Sequence, residues 1–246
     1  MRAGEVVAVV GAAGGVGRAV AQRFAVQGAK LGLVHRRAED AFEDVAMAAY
    51  AAGGDVLTVQ ADLTAPDPGR AAMTAIMDRF GPIDVLVCCS GHLKIAPSAE
   101  VDWEDFTHTI AVNLLGVWSC IRWALPSMLE QGSGRIICLS SVSGIVGTPE
   151  HAGYSAAKGG LNALVKALAR EYTSQGVLIN AIAPGPMDTR MLASTGRFPA
   201  ELVATFPLRR VADPDEIAAS VEFLAGPGGA YYAGQILAPS GGLVIA

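Results

Sequence analysis

The chain has 246 residues, 52% hydrophobic and 17% charged, with a net charge of −5. That is enough for one large α/β domain with a sizeable core, and so low a charged fraction suggests apolar surface kept for contacts between subunits. The acidic balance and the lack of any Lys/Arg-rich run argue against nucleic acid. No uncharged apolar run reaches the ~18 residues of a membrane span, and Met1 to Gly15 runs straight into a strand and a glycine loop with no signal peptide, so a cytoplasmic protein with no membrane partner is expected.

Glu5–Val10 is a short, continuous apolar run, as a strand buried on both faces requires. It leads into GAAGGVG at 11–17, with Gly11, Gly15, Val16 and Gly17 at the turn, and then a helix closed by Gly28. Strand, glycine loop and helix place backbone N–H groups where a pyrophosphate binds. Lys30–His35 is the second strand. At its end stand His35, Arg36 and Arg37, with no acid until Glu39. An acid there would hold a ribose 2′-OH, whereas arginine suits a 2′-phosphate, so NADP(H) is favoured and NAD(H) is the alternative.

A helix is expected from Ala38 to Ala52, a third strand from Val56 to Gln60, and then Asp62 and Leu63. Asp62 can accept from an adenine amino group or cap the next turn. A helix over 66–80 and a fourth strand, Ile83–Val87, lead to Cys88, Cys89, Ser90 and Gly91. The four cysteines, Cys88, Cys89, Cys120 and Cys138, sit in apolar stretches without zinc-like spacing and read as small buried hydrophobes. Cys88 and Cys89 should face opposite sides of the sheet. Asp102 caps one long helix to Gln131, bent near Pro126, with the lone amide Asn113 in its apolar middle. A buried amide must be satisfied, by a structural bridge or within a site.

Arg135–Leu139 is the fifth strand, with Ser140 and Ser141 at its C-terminal end, the edge where open α/β sheets bind ligands. A helix over 151–175 carries Tyr154 and Lys158, four residues apart and so on one face. A free phenol has a pKa near about 10, and a cation one turn away should lower it. A phenol so tuned can give a proton to a carbonyl oxygen or take one from an alcohol, with Ser141 bonding the same oxygen. Val177–Ile182 is the sixth strand, and 187–210 is an irregular segment expected to cover a bound substrate. Asp213 and Pro214 open a last helix, and Gln235–Ala238 is a final short strand. The alternation of strands and helices means parallel strands joined by right-handed crossovers in a single domain.

GAAGGVG at 11–17, Asp62, Asn113, Ser141, YSAAK at 154–158 and NAIAPGPMDT at 180–189 occur in an order and spacing that resembles the short-chain dehydrogenases/reductases, over essentially the whole chain. The general pattern is similar to the 3-oxoacyl-carrier-protein reductases and related ketoreductases. The resemblance implies an α/β, Rossmann-like, doubly wound sheet of about seven parallel strands, a nicotinamide cofactor, and a small-molecule carbonyl or alcohol as substrate. It implies a tetrad of Asn113, Ser141, Tyr154 and Lys158. Tyr154 is then the acid/base, Ser141 polarises the carbonyl, Lys158 holds ribose hydroxyls, and Asn113 acts through its backbone carbonyl on a water. It implies cofactor contacts from Pro184 and Gly185 through Met187 to Thr189, and a homotetramer built on the Asn113 and Tyr154 helices and the final helix and strand. Val10 stands where the family carries threonine, and Cys88-Cys89-Ser90-Gly91 where it carries Asn-Asn-Ala-Gly. Ile145, Val146, His151, Met187, Met191, Leu192 and Phe206 are expected to line a mostly apolar substrate pocket, with His92 as a further candidate contact. A dinucleotide-binding regulator without turnover is the competing reading, and the intact tetrad counts against it.

Overall fold

A computed structural model describes residues 3–37, 40–194 and 200–245. The start of the second expected helix, Ala38-Glu39, and residues 195–199 of the expected cover lie outside the described residues. Seven strands form one parallel sheet, Val6–Val10 (β1), Lys30–His35 (β2), Asp55–Gln60 (β3), Val85–Cys88 (β4), Gly134–Leu139 (β5), Val177–Ile182 (β6) and Ile236–Leu237 (β7), in the order β3-β2-β1-β4-β5-β6-β7. The order reverses direction between β1 and β4, which is where such sheets open a ligand crevice. The parallel pairing explains the apolar runs. β1 and β4 are buried at every position, because helices cover both faces of the sheet.

Gly15–Ala25 (α1), Glu43–Ala51 (α2) and Pro214–Ala225 (α9) cover one face through Val20, Phe24, Val45, Ile217 and Val221. Pro68–Phe80 (α3), Gly116–Gln131 (α5) and Ala152–Tyr172 (α7) cover the other through Met73, Ile121 and Leu161. Cys88 and Cys89 divide between these two faces as the strand period requires, and all four cysteines are free thiols. The second helix starts at Glu43, later than its alanine content suggested.

The long helix expected over 102–131 is three pieces. Trp103–Ile110 (α4), capped by Asp102 accepting from Asp105 N at 2.7 Å, passes into a π-helical turn, Ala111–Leu115, before α5. Wider π turns re-aim one or two side chains inside an otherwise continuous helix, and here the turn contains Asn113. Pro126 is accommodated inside α5. Among the described residues Trp103–Gln131 is the stretch long and apolar enough to cross a bilayer, with a mean hydropathy of 1.2, but its apolar side is core.

The glycine loop is held by close backbone approach. Gly11 has φ +78°, and a Cβ there would lie 2.7 Å from Ser90 N. A Cβ on Gly17 would lie 2.2 Å from Gly11 O, so the loop can close only over a bare Cα. Gly17→Ala should therefore cost about 1–3 kcal/mol and weaken dinucleotide binding. Thermal unfolding checks this, and an unchanged melting temperature would show that the loop yields freely.

Candidate functional site: the cleft at the strand ends

A cleft of about 530 Å³ opens over the C-terminal ends of the strands. Of the residues singled out in the sequence, it is lined by Gly11, Gly15, Val16, His35, Arg36, Arg37, Asp62, Leu63, Ser90, Gly91, Tyr154, Lys158, Pro184, Met187 and Thr189. Gly17 and Gly185 do not line it. Gly17 packs under the loop, and Gly185 lies against Ser240. Asn113 and Ser141 stand just behind the wall, both buried.

Tyr154 and Lys158 sit one turn apart near the start of α7. The phenol is half-buried and hydrogen-bonds Ser141, which follows β5 and also accepts from Ser143 N at 3.1 Å. Lys158 is 2% exposed, with Nζ donating to Leu139 O at 2.7 Å and to Ser90 O at 3.4 Å. Those bonds hold the ammonium 5.7 Å from the phenol ring centre. The expected lowering of the phenol's pKa by this cation is not what the chain alone produces. Burial pushes Tyr154 up, and the Ser141 hydrogen bond opposes it only in part. The larger perturbation falls on the amine, which burial pulls down to about 8. Helical spacing brings the pair to one face, but desolvation, which spacing does not reveal, dominates both titrations.

Asn113, 0% exposed, uses its side chain as a clamp. Nδ2 donates to His92 O at 2.7 Å and Thr109 O at 2.9 Å, and Oδ1 accepts from His92 N at 3.3 Å. The π turn thus ties the loop after β4 to the helix, and the amide is a structural bridge.

At the other end of the cleft Arg36 and Arg37 are exposed. His35 takes its expected place on the cleft wall. Its Nδ1 bonds Arg37 O at 2.8 Å and its ring sits edge-on to Phe42. Asp40, which the sequence reading passed over, also borders the cleft. It accepts from Arg37 N at 3.3 Å and lies 3.7 Å from His35 Nδ1. Asp62 is a capping residue, with Oδ1 accepting from Thr64 N and Oγ1 at 2.9 and 2.8 Å, which holds its carboxyl below the usual range.

Of the residues expected around a substrate, Met187, Met191 and His92 line the cleft. Phe206 is buried, while Ile145 and Val146 are exposed on the short turn Ser143–Val146 (α6). His151 turns its Nδ1 to Pro149 O at 2.7 Å. The sequence reading missed Val112, Cys89 and Arg190 as lining residues. Arg190 directly follows the NAIAPGPMDT stretch, the one signal that could have found it.

The cleft suits a dinucleotide on two observations. The first turn of α1 has no side-chain cap at Gly14, so its N–H groups are free for a diphosphate. Ser90 Oγ, buried on the cleft wall, has no hydrogen-bond partner among the described residues.

Fold and cleft together define a dinucleotide-dependent oxidoreductase of the doubly wound α/β type. The family model described as Enoyl-(Acyl carrier protein) reductase matches residues 11–244. A 3-oxoacyl-[acyl-carrier-protein] reductase of Synechocystis sp. is 37% identical over 98% of this chain and 97% of its own length. A cis-4-hydroxycyclohexanecarboxylate dehydrogenase of Sinomonas cyclohexanicum is 38% identical over 96% of this chain and 95% of its own. The crystal structure of a levodione reductase superposes with a TM-score of 0.92 at 33% identity, covering 98% of both chains. The chain belongs to the short-chain dehydrogenase/reductase family, whose members use a nicotinamide cofactor, and it is an oxidoreductase acting on C=O and CH–OH groups.

Proposed function

We propose that the chain is an NADP(H)-preferring carbonyl reductase, or secondary-alcohol dehydrogenase in reverse, with Tyr154 as its acid/base. The observation that carries this reading is the Ser141–Tyr154 hydrogen bond beside Lys158, with Tyr154 and Lys158 lining the same cleft as the glycine loop. The bound nicotinamide supplies or accepts the hydride. Tyr154 gives its hydroxyl proton to the carbonyl oxygen in reduction and takes it back in oxidation. Ser141 donates to the same oxygen and offsets its developing charge. Lys158, with two donors on Leu139 O and Ser90 O, has a third for the ribose hydroxyls. Asn113, its side chain committed to His92 and Thr109, acts through its main-chain carbonyl on a relay water.

Arg36 supports the NADP(H) preference. Gln60 Nε2 donates to its carbonyl at 3.0 Å, which fixes its backbone beside the cleft. The nearby acid, Asp40, is engaged by Arg37 N. Arg36→Ala should weaken NADPH about tenfold or more and NADH little, as read from dissociation constants. Equal losses would remove the 2′-phosphate role. Met187 and Met191 favour a hydrophobic or cyclic ketone, or a 3-oxoacyl thioester, over a sugar. A rate panel of acyl thioesters, cyclic ketones and aliphatic ketones with both cofactors tests this. Turnover of none of them would favour the regulator.

The same reading takes the chain as one cytoplasmic domain with 187–210 covering the substrate, assembled as a homotetramer. Exposed Trp103, Leu115 and Trp118 on the α4–α5 side, with Phe223, Tyr231 and Ile245 near the C-terminus, supply the apolar surface such an assembly buries.

A further inference from the structure

Two cavities meet at one guanidinium. Arg190 opens the short helix Arg190–Ser194 (α8), lines the dinucleotide cleft, and also lines an adjoining cavity bordered by Arg18, Asp40, Ala41 and Asp188. Its Nη2 reaches back across the mouth to donate to Ala13 O, inside the glycine loop, at 2.5 Å. Thr189, the residue before it, presses on the same loop: a Cβ built on Gly15 would lie 2.8 Å from Thr189 Cγ2.

Three other arginines bridge elements by holding carboxylates. Arg18 pairs with Asp44, Arg23 with Asp215, and Arg79 with Asp55. Arg190 makes no ion pair among the described residues, and its bond to Ala13 goes to a neutral carbonyl. A guanidinium has five donors in a planar fork shaped for phosphate or carboxylate oxygens. Here the fork and its full charge stand over the loop whose opposite side carries the uncapped N–H groups of α1.

We propose that Arg190 clamps the pyrophosphate of the dinucleotide, closing from above the site that α1 forms from below. The inference rests on the dinucleotide reading of the cleft. It separates two arginines by function: Arg36 meets only the 2′-phosphate, whereas Arg190 meets the diphosphate common to NADPH and NADH. The short helix Arg190–Ser194 is thereby tied to the bound cofactor through charge-assisted hydrogen bonds.

The test is fluorescence titration of NADPH and NADH, without substrate, into the parent, Arg190→Gln, Arg190→Lys and Arg36→Ala proteins. Arg190→Gln should weaken both dinucleotides by a similar factor, about tenfold or more, with a shallower dependence on salt. Arg190→Lys should recover part of the loss, because charge returns without the fork. Arg190 is exposed, so the melting temperature of the free protein should not move. Unchanged dissociation constants in Arg190→Gln overturn the clamp, and so does a loss confined to NADPH, which would place Arg190 on the 2′-phosphate. A parent that binds neither dinucleotide overturns the dinucleotide reading and the clamp together, whereas a parent that binds both while Arg190→Gln binds equally well overturns the clamp alone.

Discussion

Tyr154→Phe should lower the rate of ketone reduction by about 10²–10⁴-fold, the usual contribution of a positioned acid, with dinucleotide affinity essentially unchanged. The phenyl ring keeps the packing, and only the oxygen that bonds Ser141 is lost. Burial holds the phenol above its ordinary pKa, so the proton is in place throughout the neutral range. Reduction by the parent should therefore be nearly flat across neutral pH, while alcohol oxidation, which needs the phenolate, should climb with pH. Single-turnover oxidation of bound NADPH on mixing with ketone measures the step directly. A variant as fast as the parent would end the acid/base assignment of Tyr154.

Lys158→Met should reduce kcat by about 10²–10³-fold and weaken both dinucleotides, since the ammonium is lost while the chain length is kept. Its effect on stability has a definite sign. Burial lowers the amine from its ordinary 10.5 to about 8. Between those values the unfolded chain holds a proton that the folded chain has released, so the parent should gain stability as pH rises from about 8 towards 10.5. Below about 8 the buried charge counts against the fold. Methionine does not titrate, so the variant should lose that rise with pH. Denaturant unfolding at several pH values checks it, and an identical rise in parent and variant would show that other groups cause it.

These two residues show how far the sequence could be read. The glycine spacing at 11–17 and the four-residue step from Tyr154 to Lys158 are local patterns, and local geometry turns them directly into a loop under a helix and a shared helical face. The pKa directions were not legible, because they depend on burial by Leu139, Ser90 and the strands beneath them. His35 was legible in its place but not in its bonds. Its position at the strand end was read correctly, but its ring is claimed by Phe42 and by Arg37 O. Asp62 caps Thr64 through Oδ1 and also borders the cleft, so the cap does not decide between its two readings.

Alternating apolar runs, glycine turns and helical spacing act over short stretches of chain, so the parallel strands with their crossover helices and the chemistry offered at the strand ends were readable from residue order, while the arrangement β3-β2-β1-β4-β5-β6-β7 was not. Packing between distant segments set how Asn113 is spent, where the long helix takes its π turn, and that Arg190 reaches a carbonyl 177 positions earlier. Each of those depends on which distant backbone atoms packing brings within hydrogen-bond range, and no periodicity along the chain records that.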